Sequence, residues 1–191
     1  MLALGGDLGP QRLLLAYGEG IFPWFKSGGL IYWWSPDPRM VLFPDRLKIS
    51  KSMRKVMRNG TFTLTRDQCF DRVIENCAGV ARKGEVGSWI DPGFVQGYCA
   101  LHRMGHAHSY EVWEDGELVG GLYGVDLGHI FCGESMFSLR SNASKFALIQ
   151  LVGELGQRGV RLIDCQVHSG HLESLGAELI PRSEFMGHLK G

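Results

Sequence analysis

The 191-residue chain has no long apolar run, and its first residues, Met1 to Asp7, show no basic segment followed by an apolar stretch. Neither a signal peptide nor a membrane-spanning helix is therefore expected. Charge of one sign is also missing. Twenty Lys plus Arg face twenty Asp plus Glu, which excludes a uniformly basic nucleic-acid coat and leaves only local patches to be sought. Cysteine is scarce. The five present (Cys69, Cys77, Cys99, Cys132, Cys165) form no C-x-x-C pair and mostly sit in apolar runs, as reduced, buried thiols of a cytoplasmic protein do. Metal-ligand spacing is absent as well. His102, His106, His108, His168 and His171 have suggestive gaps, but no cysteine or carboxylate completes a zinc set, so hydrogen-bonded or surface histidines and no metal are expected. With 45% hydrophobic and 21% charged residues and a mean hydropathy of -0.04, the chain is neither a disordered tail nor a fibre. Its length suffices for one or two domains with a real core.

Glycine is plentiful, at 27 residues, which fits tight turns and close backbone approaches. Pro10 suits the first turn of a short helix ending at Gly18 or Gly20. Residues 21–39 are aromatic and broken by Pro and Gly, so turns and short strands are predicted, and a small N-terminal subdomain is drawn as 1–38. Residues 39–191 form the second unit. Ser50 is a cap for a helix bearing Lys51, Arg54, Lys55 and Arg58 on one face. A strand over 61–65, a helix from Asp67 through Cys77 and a helix opened by Asp91-Pro92 follow. Three antiparallel strands come next, over 108–114, 117–126 and 129–137, the first two joined by Asp115-Gly116. Asn142 caps a long helix ending at Gly159, and a buried strand spans 161–167. A helical turn at 171–175, a strand at 178–180 and a helix from Ser183 complete the chain.

Polar residues interrupt two strands that ought to be apolar. Glu134 lies within Gly133-Glu134-Ser135-Met136, and Asp164 and Gln166 flank Cys165. A carboxylate in a central strand costs several kcal/mol unless it is paired or hydrogen-bonded, so each marks either a site or a structural network. Period two puts Asp164 and Gln166 on one face, and Glu134 and Met136 on one face. If the strands are neighbours, these groups meet at one cleft lined by Leu122, Phe131 and Met136. Cys165 is read as a buried thiol rather than a nucleophile. Gly120, Gly121 and Gly124 fall inside a strand, so close packing or a bulge explains them better than a phosphate loop. The basic run at 46–58 is either a solvated face or a phosphate contact, and Trp33, Trp34 and Trp89 either stack a base or belong to the core.

In order along the chain, LALGGDLGPQRLLLAYGEGIFPW (2–24), WWSPDPRMVLFP (33–44), SWI (88–90), HAHSYEVW (106–113), LVGGLYGV (118–125), FCGESMFS (131–138), NASKFAL (142–148) and LIDCQVHSGHLESLGAELIPR (162–182) resemble the bacterial leucyl/phenylalanyl-tRNA-protein transferase family. The match covers nearly the whole chain. WWSPDPR, GESMFS and IDCQ are its most specific blocks. Departures are Ser169-Gly170, where bulkier polar residues are expected, and shorter ends than family members usually have.

The resemblance implies an α+β fold with an acetyltransferase (GNAT)-like mixed sheet flanked by helices, preceded by a small N-terminal α/β subdomain. It implies an aminoacyltransferase moving Leu, Phe or Met from charged tRNA to an N-terminal Lys or Arg of acceptor proteins, which marks them for N-degron proteolysis. By the same resemblance Asp164, Gln166 and Glu134 are catalytic, and Leu122, Phe131, Met136, Leu148 and Ile163 hold the transferred side chain. Trp89 and Tyr98 lie beside the aminoacyl-adenosine. The acceptor α-amine, with an ordinary pKa of about 7.7 to 8.0, must lose a proton. Asp164 is the candidate base with Gln166 orienting it, or the terminal ribose hydroxyl relays the proton and Asp164 positions the amine. The ester supplies the driving force, so no cofactor is expected. Lys51, Arg54, Lys55 and Arg58 would hold the tRNA backbone of a monomeric enzyme that needs no membrane. The alternatives are an acetyl-coenzyme A-dependent acetyltransferase of the same broad fold and a tRNA-binding module without transfer activity.

Overall fold

The computed structural model describes residues 1–79 and 91–191. Pro10 opens α1 (Pro10–Gly18), and Gly20, at φ +69°, turns the chain into β2 (Phe22–Ser27). β2 pairs antiparallel with β3 (Leu30–Trp34), which also pairs with β1 (Ala3–Leu4). The aromatic, turn-rich segment is therefore a hairpin. Ile31 and Trp33 alternate onto its buried face, while Tyr32 and Trp34 stay partly exposed on the other.

The main sheet has seven strands in the order β10 (Glu178–Ile180), β4 (Arg39–Leu42), β9 (Leu162–Gln166), β8 (Ile130–Ser138), β7 (Glu117–Asp126), β6 (Ala107–Glu114), β5 (Thr63–Arg66). All neighbours are antiparallel except β8 and β9. β4 is the strand that the sequence pattern does not reveal. Its four residues are all buried, so it lacks the alternation that marks a half-exposed strand, and its place between β9 and β10 is set by tertiary pairing alone.

Helices cover both faces. α3 (Phe70–Gly79) packs Val73 toward Gly121, while α5 (Ala143–Gln157) packs Ala143 toward Gly120, the adjacent residue of β7 and so the opposite face. α4 (Pro92–Arg103) is capped as expected, by Asp91 accepting from the N–H groups of Gly93 and Phe94 at 2.7 and 3.2 Å. α2 (Lys51–Arg58) is capped by the Ser50 hydroxyl, buries Met53 and leaves Lys51, Arg54, Lys55 and Arg58 exposed. The Asn142 cap is corrected. Asn142 stands before α5 at φ +72° without a side-chain cap bond, and the Ser138 hydroxyl instead accepts from the Ser144 N–H at 3.2 Å. α6 (Gly170–Glu173) and α7 (Arg182–Lys190) close the chain.

The strand glycines act by close packing. A Cβ on Gly124 would press into the Cys132 carbonyl oxygen and sit 2.5 Å from the Phe131 ring, beside a register shift between β7 and β8. Gly124→Ala is expected to lose about 1–3 kcal/mol through overpacking. Thermal melting should therefore fall by several degrees, and an unchanged melt would mean that β8 yields freely at this point.

Candidate active site

The parallel pairing of β8 with β9 runs through Ile130↔Leu162, Phe131↔Ile163 and Cys132↔Asp164. Beyond it the register ends, and two backbone irregularities follow. On β8, Ser135 faces Tyr123 and Gly133 faces Gly124, so Glu134 is the extra residue of a bulge. On β9, Gln166 has φ +65°, a left-handed conformation that costs a non-glycine residue energy. These breaks revise the period-two expectation. Gln166 lines a cavity together with Ile163 and Cys165, whereas Asp164 does not.

That cavity measures about 280 Å³. Leu122 from β7, Met136 from β8, Leu148 and Leu151 from α5 and Ile163 from β9 form its apolar wall. Phe22, Pro23 and Trp24 of β2 and His171 and Leu172 of α6 also line it. The groups with chemistry to offer are Glu134 and Gln166. Gln166 Nε2 donates to Glu134 Oε1 at 2.6 Å, and the Tyr98 hydroxyl of α4 donates to Glu134 Oε2 at 2.8 Å. The Tyr17 hydroxyl of α1 lies 2.6 Å from that of Tyr98 and donates to it, since the Tyr98 proton is committed to Glu134. Burial raises the Glu134 carboxyl to about 7, with the nearby Asp164 charge adding to the rise and the Tyr17 and Tyr98 hydroxyls opposing it. The two tyrosines, themselves buried next to that carboxyl, are held well above their ordinary range.

Asp164 occupies a different environment. Its carboxylate is wholly buried, and Arg39, equally buried, grips it with Nε to Oδ1 at 2.7 Å and Nη2 to Oδ2 at 2.6 Å. Oδ1 also accepts the Gln166 N–H at 2.9 Å. Both oxygens are thus engaged by fixed donors, and the group is not part of the cavity wall. A proton acceptor must reach the proton that it takes, and of the two carboxylates it is Glu134 that lines the cavity.

Of the expected side-chain pocket, Leu122, Met136, Leu148 and Ile163 line the cavity. Phe131 is instead fully buried core against Gly124. Tyr98 lies beneath Glu134 as its hydrogen-bond donor, and Trp89 falls outside the described residues. Cys165 borders the cavity with its thiol raised by burial, as an inert sulfhydryl. Lys51, Arg54, Lys55 and Arg58 share the exposed side of α2, and none of them makes an ion pair among the described residues. Reading the residues alone missed Arg39, Tyr17 and the β2 wall of Phe22 and Trp24. A usable signal existed for Arg39. A carboxylate in a central strand needs a partner, and Arg39 opens the otherwise apolar run Arg39-Met40-Val41-Leu42.

Fold and site together define an α+β protein whose central sheet parts to hold an apolar cavity with a carboxylate on its wall. Comparison with known proteins makes this specific. The family described as leucyl/phenylalanyl-tRNA protein transferase matches residues 41–190, and its N-terminal domain matches residues 6–37. A leucyl/phenylalanyl-tRNA–protein transferase of Flavobacterium johnsoniae is 57% identical over 100% of this chain and 90% of its own length. One of Chromobacterium violaceum is 54% identical over 100% of this chain and 81% of its own length. The chain belongs to the leucyl/phenylalanyl-tRNA protein transferase family, a family of transferase enzymes. Among solved structures it is similar to a GCN5-related N-acetyltransferase from Kribbella flavida, with 12% identity and a TM-score of 0.43 over 91% of this chain and 61% of that one. A likeness so distant carries no functional meaning by itself.

Proposed function

We propose that this enzyme transfers Leu, Phe or Met from charged tRNA to the N-terminal Lys or Arg of a protein. The reading rests above all on one observation: Glu134, held at about 7, and the Gln166 carboxamide sit together on the wall of an otherwise apolar cavity. Such a cavity accepts Leu, Phe and Met side chains by burial and rejects charged ones, which would lose their hydration. Leu122, Met136, Leu148 and Ile163 supply that selection.

The reaction is aminolysis of an ester. The neutral α-amine of the acceptor attacks the ester carbonyl carbon, a C–N bond forms, and the C–O bond to the terminal ribose breaks. One proton leaves the amine and one is gained by the ribose oxygen. Glu134 takes the amine proton, having a pKa matched to neutral pH, and returns it to the leaving oxygen. Gln166 orients Glu134 and offers its amide to charge developing at the carbonyl oxygen. The cationic Lys or Arg side chain of the acceptor is drawn by the negative potential of the ionised Glu134. Transfer of this kind needs no cofactor, occurs in the cytoplasm and gives the acceptor an N-terminal residue that directs its proteolysis.

The exposed cations of α2 would track the tRNA backbone, and α2 packs on α5, whose Leu148 and Leu151 line the cavity. Changing Lys51, Arg54 and Lys55 together to Ala is expected to weaken tRNA binding and flatten its salt dependence, each lost phosphate contact reducing the slope of log K against log salt by about 0.7 to 0.9. Filter binding over a salt series measures this, and an unchanged slope would make the helix a merely solvated face.

The decisive assay follows labelled Leu or Phe from charged tRNA into a peptide beginning with Arg, beside one beginning with a neutral residue. Incorporation into the Arg peptide alone is expected. Folded protein that binds tRNA without incorporating label would leave a binding module. Labelling from acetyl-coenzyme A instead would establish the acetyltransferase alternative.

A further inference from the structure

Arg39 is the most deeply enclosed cation of the described residues, with 1% of its surface exposed. It meets three separate parts of the chain. Nε and Nη2 hold both Asp164 oxygens on β9, and Nη1 donates to the Gly20 carbonyl at 3.1 Å in the turn between α1 and β2. Its guanidinium also lies between two rings, 4.9 Å from the centre of Phe22 on β2 and 4.6 Å from that of Phe185 on α7. A planar group with fixed donors suits such a junction, and lysine could not reproduce it.

What the junction holds is informative. Asp164 Oδ1 accepts the N–H of Gln166, the residue kept in the left-handed conformation, and that conformation turns its amide to Glu134. Gly20 leads into Phe22, Pro23 and Trp24, which wall the cavity. One side chain therefore ties the turn that leads into the β2 wall to the strand that carries the Gln166 amide.

We propose that Arg39 is a positioning residue for aminoacyl transfer, acting through Asp164 to hold Gln166 against Glu134 and through Gly20 to hold the β2 wall of the same cavity. This rests on the reading that the cavity is the transfer site. Arg39 and Asp164 touch no substrate. They set the distance between groups that do. Loss of the clamp lets Gln166 relax from its strained backbone and swing its amide away from Glu134. The effect then falls on the chemical step rather than on tRNA affinity, because the α2 cations are untouched.

Two variants test this at a temperature where melting shows each fully folded. Arg39→Lys keeps the charge but only one of the two parallel bonds. Arg39→Met with Asp164→Leu removes both charges while keeping the volume packed, a replacement that buried pairs tolerate. Transfer to an Arg peptide is measured with charged tRNA varied, so that kcat and KM are separated. Expected are a kcat lowered about 10-fold or more in Arg39→Lys and about 100-fold or more in the double variant, by the scale of misplacement effects. KM for charged tRNA should stay within about threefold in both. Near wild-type kcat in the folded double variant would overturn the positioning role, as would a loss carried wholly by KM. Failure of the wild-type enzyme to transfer at all would instead overturn the assignment of the site.

Discussion

Replacing Glu134 by Gln is expected to slow transfer roughly 10²–10⁴-fold, the range seen when a positioned proton acceptor is lost, with tRNA affinity almost unchanged. The shape is preserved, and the carboxamide oxygen introduced there can still accept a bond from Tyr98 or Gln166, so the loss reports chemistry rather than packing. The wild-type enzyme should gain rate as pH rises through about 7, where Glu134 loses its proton. Deprotonation of the free acceptor amine near 7.7 to 8.0 adds a second, higher limb. In Glu134→Gln the lower limb should vanish and the upper one remain. A variant with the full wild-type pH profile would return the proton to the ribose hydroxyl and leave Glu134 as a binding group.

The same carboxyl carries a stability consequence of opposite sign. Its folded pKa, about 7, lies above its ordinary value of 4.5, so between those values the folded state binds more protons than the unfolded one. Stability contributed by this group is therefore present at acid pH and is lost as pH rises through 7. The difference is on the order of 3 kcal/mol at its full extent. Glu134→Gln should flatten this part of the melting profile and stand above the wild type at pH 8, because an uncharged amide escapes the cost of ionising in a buried place.

Asp164→Ala is the second large effect, and it falls mainly on the fold. Removing one member of a buried ion pair leaves the other uncompensated, and Arg39 has no water to turn to among Phe22, Phe185 and the sheet. A loss of about 3–5 kcal/mol is expected. For a chain of this length that lowers the melting temperature by roughly 6–20 °C. Calorimetry or circular dichroism measures it. A drop of a degree or two would show that Arg39 finds another anion or reaches solvent, and that the pair matters less than its burial implies.

Much of the fold was legible because local rules and tertiary structure agree. The Ser50 and Asp91 caps, the Asp115-Gly116 turn with both residues at positive φ, and the apolar periodicity of 143–157 are features that a few neighbouring residues decide. Family resemblance places Leu122, Met136, Leu148 and Ile163 in the pocket, and they line the cavity. It places Phe131 there too, but that ring is turned into the core. The difference is not strand phase, since Phe131 pairs with Ile163 and packs over Gly124 on the face that also carries Leu122; it is position along the strands, which no local pattern reveals.

The sequence by itself determined that two carboxylates stood in strands where an apolar residue would be cheaper, and that both therefore needed a physical reason. It also determined the basic face of α2, because helical spacing and the want of neighbouring acids are written in adjacent letters. Only the tertiary structure gave the two carboxylates different surroundings. Arg39 lies 125 positions from Asp164, and Tyr98 lies 36 from Glu134. Strand pairing brings a guanidinium to one carboxylate, while a phenol from α4 and an amide from β9 meet the other, which burial raises to about 7. The chemistry of an acid depends on its nearest partners and its distance from water, and both are properties of the folded chain.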